Sequence, residues 1–528
     1  MYPPRLFHRS TALVAIAVLG ALVASAGCDA RGRRTPDDTL VVLFESAAKS
    51  ADPRYAISTY DARVSKLVAP GLMTVEGADL MPRPELAERV DEIDPVTWEV
   101  TLRDDVRFSD GTPVTAGDVV WTYQTVIDDQ SDSVFHKGFK ERFAAVEAID
   151  GDGGRRVRFR LAAPLATFLT DLDFGIVARH AADQDGKFRG GRAIGAGPYV
   201  LTSLSATRAT LVANRHWHRG APPTPKLDIR VVRDAAARII MLAGGSADVV
   251  QNAFRYDLID DLLGRERVRE VRGPSNILTY MLLNNEDPAL RDVRVRRAIA
   301  LALDREAVIA RKFAGRAVLA TGFIPPGHWA YADVGRFAPD LERAGRLLDE
   351  AGFPDPPGPA PRLRLIYKTS NDQFRIAIAR VLAGQLARIG IAVEVRPFEF
   401  ATFFADVKKG NYQLASMQTA DVTEPDTLYT YFHSSRIPDA KNPDVHNRWR
   451  YRSAELDRLV DAGRRETDRA RRIPIYAEAQ RVLAEDLPII PLWHEDNVAI
   501  VNRSVVGFEV VPNARLVGLA RARKEAAP

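Results

Sequence analysis

Apolar and polar positions along this chain fall into short runs that switch between a period of two and a period near 3.6. Residues 39–44 (TLVVLF) are a continuous apolar run, the pattern of a strand buried on both faces. Residues 60–72 carry helical spacing up to a Gly-Leu turn. Residues 98–102 (WEVTL) and 156–161 (RVRFRL) alternate as half-buried strands, and the turn Asp110-Gly111-Thr112-Pro113 leads into a capped helix over 115–127. The proline-rich segment 354–361 (PDPPGPAP) is the clearest internal break. Beyond it the pattern predicts a strand at 363–367, a long amphipathic helix at 375–389 and a strand at 391–395. That is a βαβ unit, with parallel strands and a right-handed crossover. A helix over 473–484 and a buried strand within 487–493 follow. Strand and helix signals interleave without a repeat period, so the class is α/β.

The N-terminus has a different pattern. Arg5 and Arg9 precede an almost wholly apolar run over 12–23, which fits the core of an export signal and falls short of the roughly 20 residues a spanning helix needs. Ser25-Ala26-Gly27-Cys28 ends the leader, and Cys28 is the only cysteine among 528 residues. This ending resembles the lipobox of bacterial lipoproteins, with Ser25 where lipoboxes usually carry Leu. The resemblance implies removal of residues 1–27, a diacylglycerol on Cys28, and a chain tethered to the membrane by its N-terminal lipid. An ordinary export signal with an incidental cysteine is the competing reading; a lone thiol in an exported chain favours the anchor. Residues 28–38 then form a polar, charged, flexible spacer. Asp29 resembles an inner-membrane retention signal, which places the chain in the periplasm or cell envelope, on the outer face of the cytoplasmic membrane.

Composition narrows the class further. Hydrophobic content of 46% and charged content of 27% suit a globular body of two or three domains with an ample core. The net charge is +4, of which Arg5 and Arg9 supply two, and no basic stripe interleaved with aromatics stands out. Nucleic acid is therefore not an expected partner. A single cysteine rules out an intrachain disulfide. No GxSxG, HExxH or Cys-His arrangement is present, so no catalytic residue, cofactor or metal site is expected. His216 and His218 flank Trp217 without further ligands and read as surface residues. His433 and His446, in the polar segment after residue 421, are a remote candidate for meeting a metal chelate.

Several segments resemble, in order, the extracytoplasmic solute-binding proteins of the peptide/nickel (dipeptide and oligopeptide) family of ABC transporters, family 5. Leu102-Arg103, residues 106–116 (VRFSDGTPVTA) and Asp118-Val119 are similar to that family's "LR…F.DGTP.TA.DV" stretch. Gly195-Ala196-Gly197-Pro198-Tyr199, residues 214–217, Leu283-Asn284-Asn285 with 292–299 (DVRVRRAI) and 302–306 (ALDRE), 344–353, and 476–493 continue the match. Taken alone, most of these are scaffold: DGTP is a turn and cap, DVRVRRAI a helix with a solvated basic face, GAGPY a tight turn needing glycine.

The resemblance implies a periplasmic-binding-protein-like two-lobed (class II, cluster C) fold with an extra domain inserted in the first lobe. Lobe I is expected from 39–54, 186–268 and 489–520, the inserted domain from 55–185, and lobe II from 269–488. It further implies a monomer that captures a short peptide or similar solute in a closing cleft and delivers it to an ABC permease with its cytoplasmic ATPase. A sensor or chaperone lipoprotein is the alternative; a secreted hydrolase is the other class considered. Dipeptide, oligopeptide, nickel chelate, opine and oligosaccharide all remain open as solute.

By the same resemblance, Asp421 in residues 420–426 (ADVTEPD) matches the aspartate that pairs with the α-ammonium of a bound peptide; a turn-capping role is its alternative. A counter-charge suits a closing cleft because an unpaired ammonium is costly to desolvate. Gln418 stands where that family carries Trp, which bears on specificity. Lys49, at the exit of the first strand, and Trp493 and His494, just after Pro491-Leu492, match positions that line the cleft. Trp449 and Trp329 are further aromatic candidates, with core packing as the competing role.

The anchor is tested directly. Cys28→Ser is expected to leave a larger, uncleaved or soluble form and to abolish partitioning into a detergent phase; equal partitioning of variant and wild type refutes lipidation.

Overall fold

The computed structural model describes residues 35–254, 256–419 and 422–525. Cys28 and Asp421 lie outside the described residues. No helix among the described residues is long and apolar enough to cross a membrane.

Two mixed sheets form the body. The first has seven strands, with Thr39–Phe44 near its centre between the parallel strands Lys226–Val231 and Val249–Gln251. All six residues of Thr39–Phe44 are buried, as an apolar run between parallel neighbours requires. Antiparallel strands extend this sheet on both sides: Tyr199–Leu204 and Arg208–Ala213 on one, Asn497–Asn502 and Val268–Gly273 on the other. The second sheet has six strands, in the order Ala317–Leu319, Ile489–Glu495, Leu278–Leu283, Leu414–Thr419, Leu363–Ser370, Ile391–Phe398. Its parallel pair Leu363–Ser370 and Ile391–Phe398 is bridged by the helix Gln373–Ala387, which is the βαβ unit the spacing predicts.

The inserted domain is a four-stranded antiparallel sheet carrying the helices Ala116–Ile127 and His136–Arg142. Trp98, Val100 and Leu102 face a ring-rich core around Tyr123, Phe139, Phe143, Phe159 and Phe168, while Glu99 pairs with Arg158 at 2.6 Å on the other face. Thr115 opens the first helix by donating its N–H and hydroxyl to Asp118 Oδ2, at 3.1 and 2.7 Å.

The chain passes between the lobes where Val268–Gly273 runs into Leu278–Leu283 and where Ile489–Glu495 runs into Asn497–Asn502. Both crossings fall later than the boundaries after residues 268 and 488 that the resemblance implies. Val268–Gly273 pairs with Asn497–Asn502 in the sheet of lobe I, and Ile489–Glu495 pairs with Leu278–Leu283 in the sheet of lobe II. The crossings lie side by side. Ser275 Oγ donates to the Glu495 carbonyl, Glu495 N–H donates to the Ile277 carbonyl at 3.2 Å, and Asn497 Nδ2 donates to the carbonyls of Val511 and Pro512 at 2.7 and 2.9 Å.

Three local expectations change. Arg296, on the helix Val293–Ala302, is buried, donating to the carbonyls of Leu487, Leu290, Arg291 and Asp486; four acceptors compensate the charge that the basic face was expected to solvate. His216 and His218 lie in a turn, and the His218 side chain is buried, its pKa pushed down to about 4 by desolvation and then by Arg219. In GAGPY neither glycine has a positive φ. They are needed for close approach: a Cβ on Gly195 would lie 2.2 Å from the Val68 carbonyl oxygen, and one on Gly197 2.4 Å from that of Leu67. These are the last carbonyls of the helix Thr59–Val68, and the Gly197 N–H donates to the Val68 carbonyl at 2.8 Å. Gly195→Ala is therefore expected to cost about 1–3 kcal/mol, the scale of an overpacked core. A lower urea midpoint at unchanged slope checks it; an unchanged midpoint refutes the contact.

Candidate functional site

A cavity of about 760 Å³ lies between the two sheets, within the range of small-solute sites. Lobe I contributes Glu45, Arg238, Asn252, Phe254 and Tyr256; lobe II contributes Thr279, Arg311, Lys312, Phe313, Arg375, Ser416, Gln418, Trp493 and Glu495; the crossings add Ile277 and Asp496. Arg238, Arg311, Lys312 and Arg375 are matched by Glu45, Asp372, Glu495 and Asp496. The lining is thus balanced in charge, which suits a zwitterion.

Strand alternation puts these groups together. Trp493 and Glu495 are two apart on Ile489–Glu495, Ile277 and Thr279 two apart on the neighbouring segment, and Ser416 and Gln418 two apart on the strand beyond. Each pair therefore faces the same side. Trp493 is fully buried and packs on Phe313 at 5.1 Å between centroids; Phe313 in turn meets Tyr256 at 5.2 Å and Phe374 at 5.4 Å, giving the cavity one aromatic wall. Glu495 Oε1 accepts from Thr279 Oγ1 at 2.9 Å and Gln418 Nε2 at 2.7 Å. Burial pushes its carboxyl above the ordinary range, against the pull of Thr279, Arg375 and Gln418. The Trp493 Nε1 lies close enough to stabilise the carboxylate charge but outside hydrogen-bond geometry.

Arg375 enters from the first turn of the helix Gln373–Ala387, whose cap is Asp372, accepting from the Arg375 N–H at 2.9 Å. Its guanidinium is half-buried and makes no hydrogen bond or ion pair with a described residue. Arg238, by contrast, is held by the carbonyls of Ala253, Val232 and Arg233 at 2.6, 2.5 and 2.9 Å. The free cation at a helix N-terminus is a natural partner for an anion.

The candidates from sequence separate clearly. Trp493 lines the cavity. His494, one residue on, faces the opposite side of the sheet, 3% exposed, and burial pushes its pKa down to about 4. Trp449 is fully buried against Tyr280, Tyr431 and Phe432. Lys49 has an exposed side chain off the cavity; its N–H donates to Asp61 Oδ1 at 2.5 Å, which ties the first strand's exit to the helix Thr59–Val68. Trp329 also lies off the cavity, stacked on His328 and covered by Arg472 and Arg469. His433 pairs near Asp457 and Asp461, and His446 packs on Tyr431, neither in the cavity. No group of three His, Cys, Asp or Glu able to hold a metal occurs among the described residues.

The residues missed are Arg375 and Glu495. Their signal was a polar side chain at alternate positions of an otherwise apolar strand (Ser416, Gln418, Glu495), and an arginine in a helix's first turn. A second cavity, about 460 Å³, lies between lobe I and the inserted domain. Its charges are already paired, Asp173 with Lys66 and Arg515 and Glu85 with Arg219, which leaves less for a solute.

The family model "Bacterial extracellular solute-binding proteins, family 5 Middle" matches residues 81–439. The chain belongs to this family. Its members bind solutes rather than transform them, and the hydrolase alternative finds no support. Relatives of this family 5 protein include the "Probable D,D-dipeptide-binding periplasmic protein DdpA" of Escherichia coli K12, 27% identical over 93% of this chain and 95% of that one. The "Glutathione-binding protein GsiB" of the same strain is 28% identical over 96% of this chain and 98% of that one. In structure, NikA from Brucella suis, solved in complex with Fe(III)-EDTA, aligns with a TM-score of 0.82 at 20% identity, over 93% of this chain and 100% of that one. That likeness carries the two-lobed fold.

The turn that follows residue 421 is clamped where the inserted domain meets lobe II. Glu424 pairs with Arg472 at 2.5 Å and Asp426 with Arg464 at 3.0 Å; across the contact Asp171 pairs with Arg142 at 2.5 Å, and Ala166 N–H donates to the Arg464 carbonyl at 3.1 Å. Burial outweighs the arginines and raises Glu424 to about 7 and Asp426 and Asp171 to about 6. A carboxyl raised on folding binds its proton more tightly in the native state, so its stabilising share is full at low pH and is lost as pH rises toward 7. Glu424→Gln resembles the protonated residue at every pH. It is expected to gain stability relative to wild type as pH climbs from about 5 to 8, read as the difference in melting temperature at each pH. A difference independent of pH refutes the buried-carboxyl assignment.

Proposed function

We propose that this protein is the periplasmic, Cys28-anchored component of an ABC importer, and that it captures a short peptide between its lobes for delivery to the permease. The observation that carries the reading is the charge-balanced cavity with the unpaired Arg375 at a helix N-terminus. A peptide's carboxylate fits there. Asp421, three residues after Gln418 in the chain, supplies the counter-charge for its α-ammonium. The names of DdpA and GsiB, which refer to a dipeptide and to glutathione, agree with a peptide-sized solute.

Solute held by both lobes stabilises the closed form by mass action, about 2.7 kcal/mol at a hundred times the dissociation constant. The decisive experiment measures free and N-acetylated peptide on wild type and on Asp421→Asn. Losing the charge inside a closed cleft is expected to cost on the order of 2–5 kcal/mol, a factor of about thirty or more in affinity, against roughly 0–1 kcal/mol for an exposed pair. Acetylation then costs the wild type heavily and the variant little. Equal binding of free and acetylated peptide by the wild type makes Asp421 a turn residue.

A further inference from the structure

Glu495, like Arg375, stands apart from the paired charges of the cavity. Arg238 is satisfied by carbonyls and Asp496 pairs with Arg272, but Glu495 forms no ion pair with a described residue. Its partners are neutral: Thr279 and Gln418 both donate to Oε1, and the Tyr256 hydroxyl lies against the carboxylate. Arg375 acts on it through space only. A carboxylate drawn out of water and offered neutral donors is a costly arrangement unless a cation arrives to complete it.

The geometry holds this carboxylate ready. Thr279, Gln418 and Glu495 come from three adjacent strands and point to the same face, so the hydrogen bonds fix the carboxylate on a rigid sheet rather than on a loop. It opens onto the cavity beside the rings of Trp493, Phe313 and Tyr256, a surface that attracts cations through its π faces. The N-terminus of the peptide is already assigned to Asp421, so a second cation belongs to a side chain.

Resting on the peptide reading of this cavity, we propose that Glu495, oriented by Thr279 and Gln418 and bordered by Trp493, is a side-chain subsite that selects peptides carrying a lysine- or arginine-type group. Gln418 then acts as a positioning residue for that carboxylate.

The test is calorimetric titration of the protein with Gly-Lys-Gly, Gly-norleucine-Gly and Gly-Glu-Gly. The wild type is expected to bind the lysine peptide at least about tenfold more tightly than its uncharged isostere, the ratio a charge-assisted contact supplies, and the glutamate peptide least. Glu495→Gln is expected to erase the lysine advantage, with a far-ultraviolet circular dichroism spectrum matching wild type as its folding control. Glu495→Asp is expected to retain part of it. Equal wild-type affinities for the lysine and norleucine peptides, or an advantage that survives in Glu495→Gln, overturn the subsite while leaving the peptide reading intact. Binding of none of the three overturns the peptide reading, and the subsite with it.

Discussion

Two strands that leave one sheet and enter the other side by side constrain everything else in this molecule. Among the described residues the chain passes between the lobes twice, at residues 274–277 and at Asp496, and two adjacent crossings are the geometry of a hinge. Hydrogen bonds between the crossings, such as Glu495 N–H to the Ile277 carbonyl at 3.2 Å, keep the pair acting as one band. Arg316 of lobe II, which meets Glu270 at 2.8 Å and is 6% exposed, ties the band to lobe I. Solute lodged in the cavity between the sheets meets residues of both lobes, so its binding is coupled to how the lobes are placed.

The chemistry of the cavity follows from what each charge already has. Buried charge is tolerated where acceptors or counter-ions satisfy it, as at Arg238 and Arg296, and those residues have nothing left to offer a solute. Arg375 and Glu495 keep their capacity because their neighbours are neutral or distant. This distinguishes them from the charges of the second cavity, where direct ion pairs already satisfy Asp173 and Glu85.

Much of the fold was legible in the sequence. The strand at Thr39–Phe44, the capped helix after Thr115 and the βαβ unit around Gln373–Ala387 each rest on a local pattern that tertiary packing agrees with. The site was less so. Trp493 was visible as an aromatic beside a proline in an apolar run, but the same cue led to His494, which a period of two turns into the opposite face. Trp449 and Trp329 were drawn in by size alone, and size is as easily used in packing. Gln418 is marked in the sequence only by standing where the family carries Trp; its hydrogen bond to Glu495 joins residues 77 apart in the chain and leaves no local trace.

The single cysteine leaves the contact between the inserted domain and lobe II without any covalent tie. What holds it there includes ion pairs whose carboxylates are largely shielded, Asp171 at 11%, Glu424 at 12% and Asp426 at 14% exposure. Mobile ions screen open pairs over about 10 Å at 0.1 M but reach shielded ones poorly. Outside the cytoplasm, where ionic strength follows the surroundings, exposed pairs such as Arg336 with Glu306 fade with rising salt while this contact persists. The turn next to residue 421 is thereby held by shielded partners and largely insulated from changes in medium salinity.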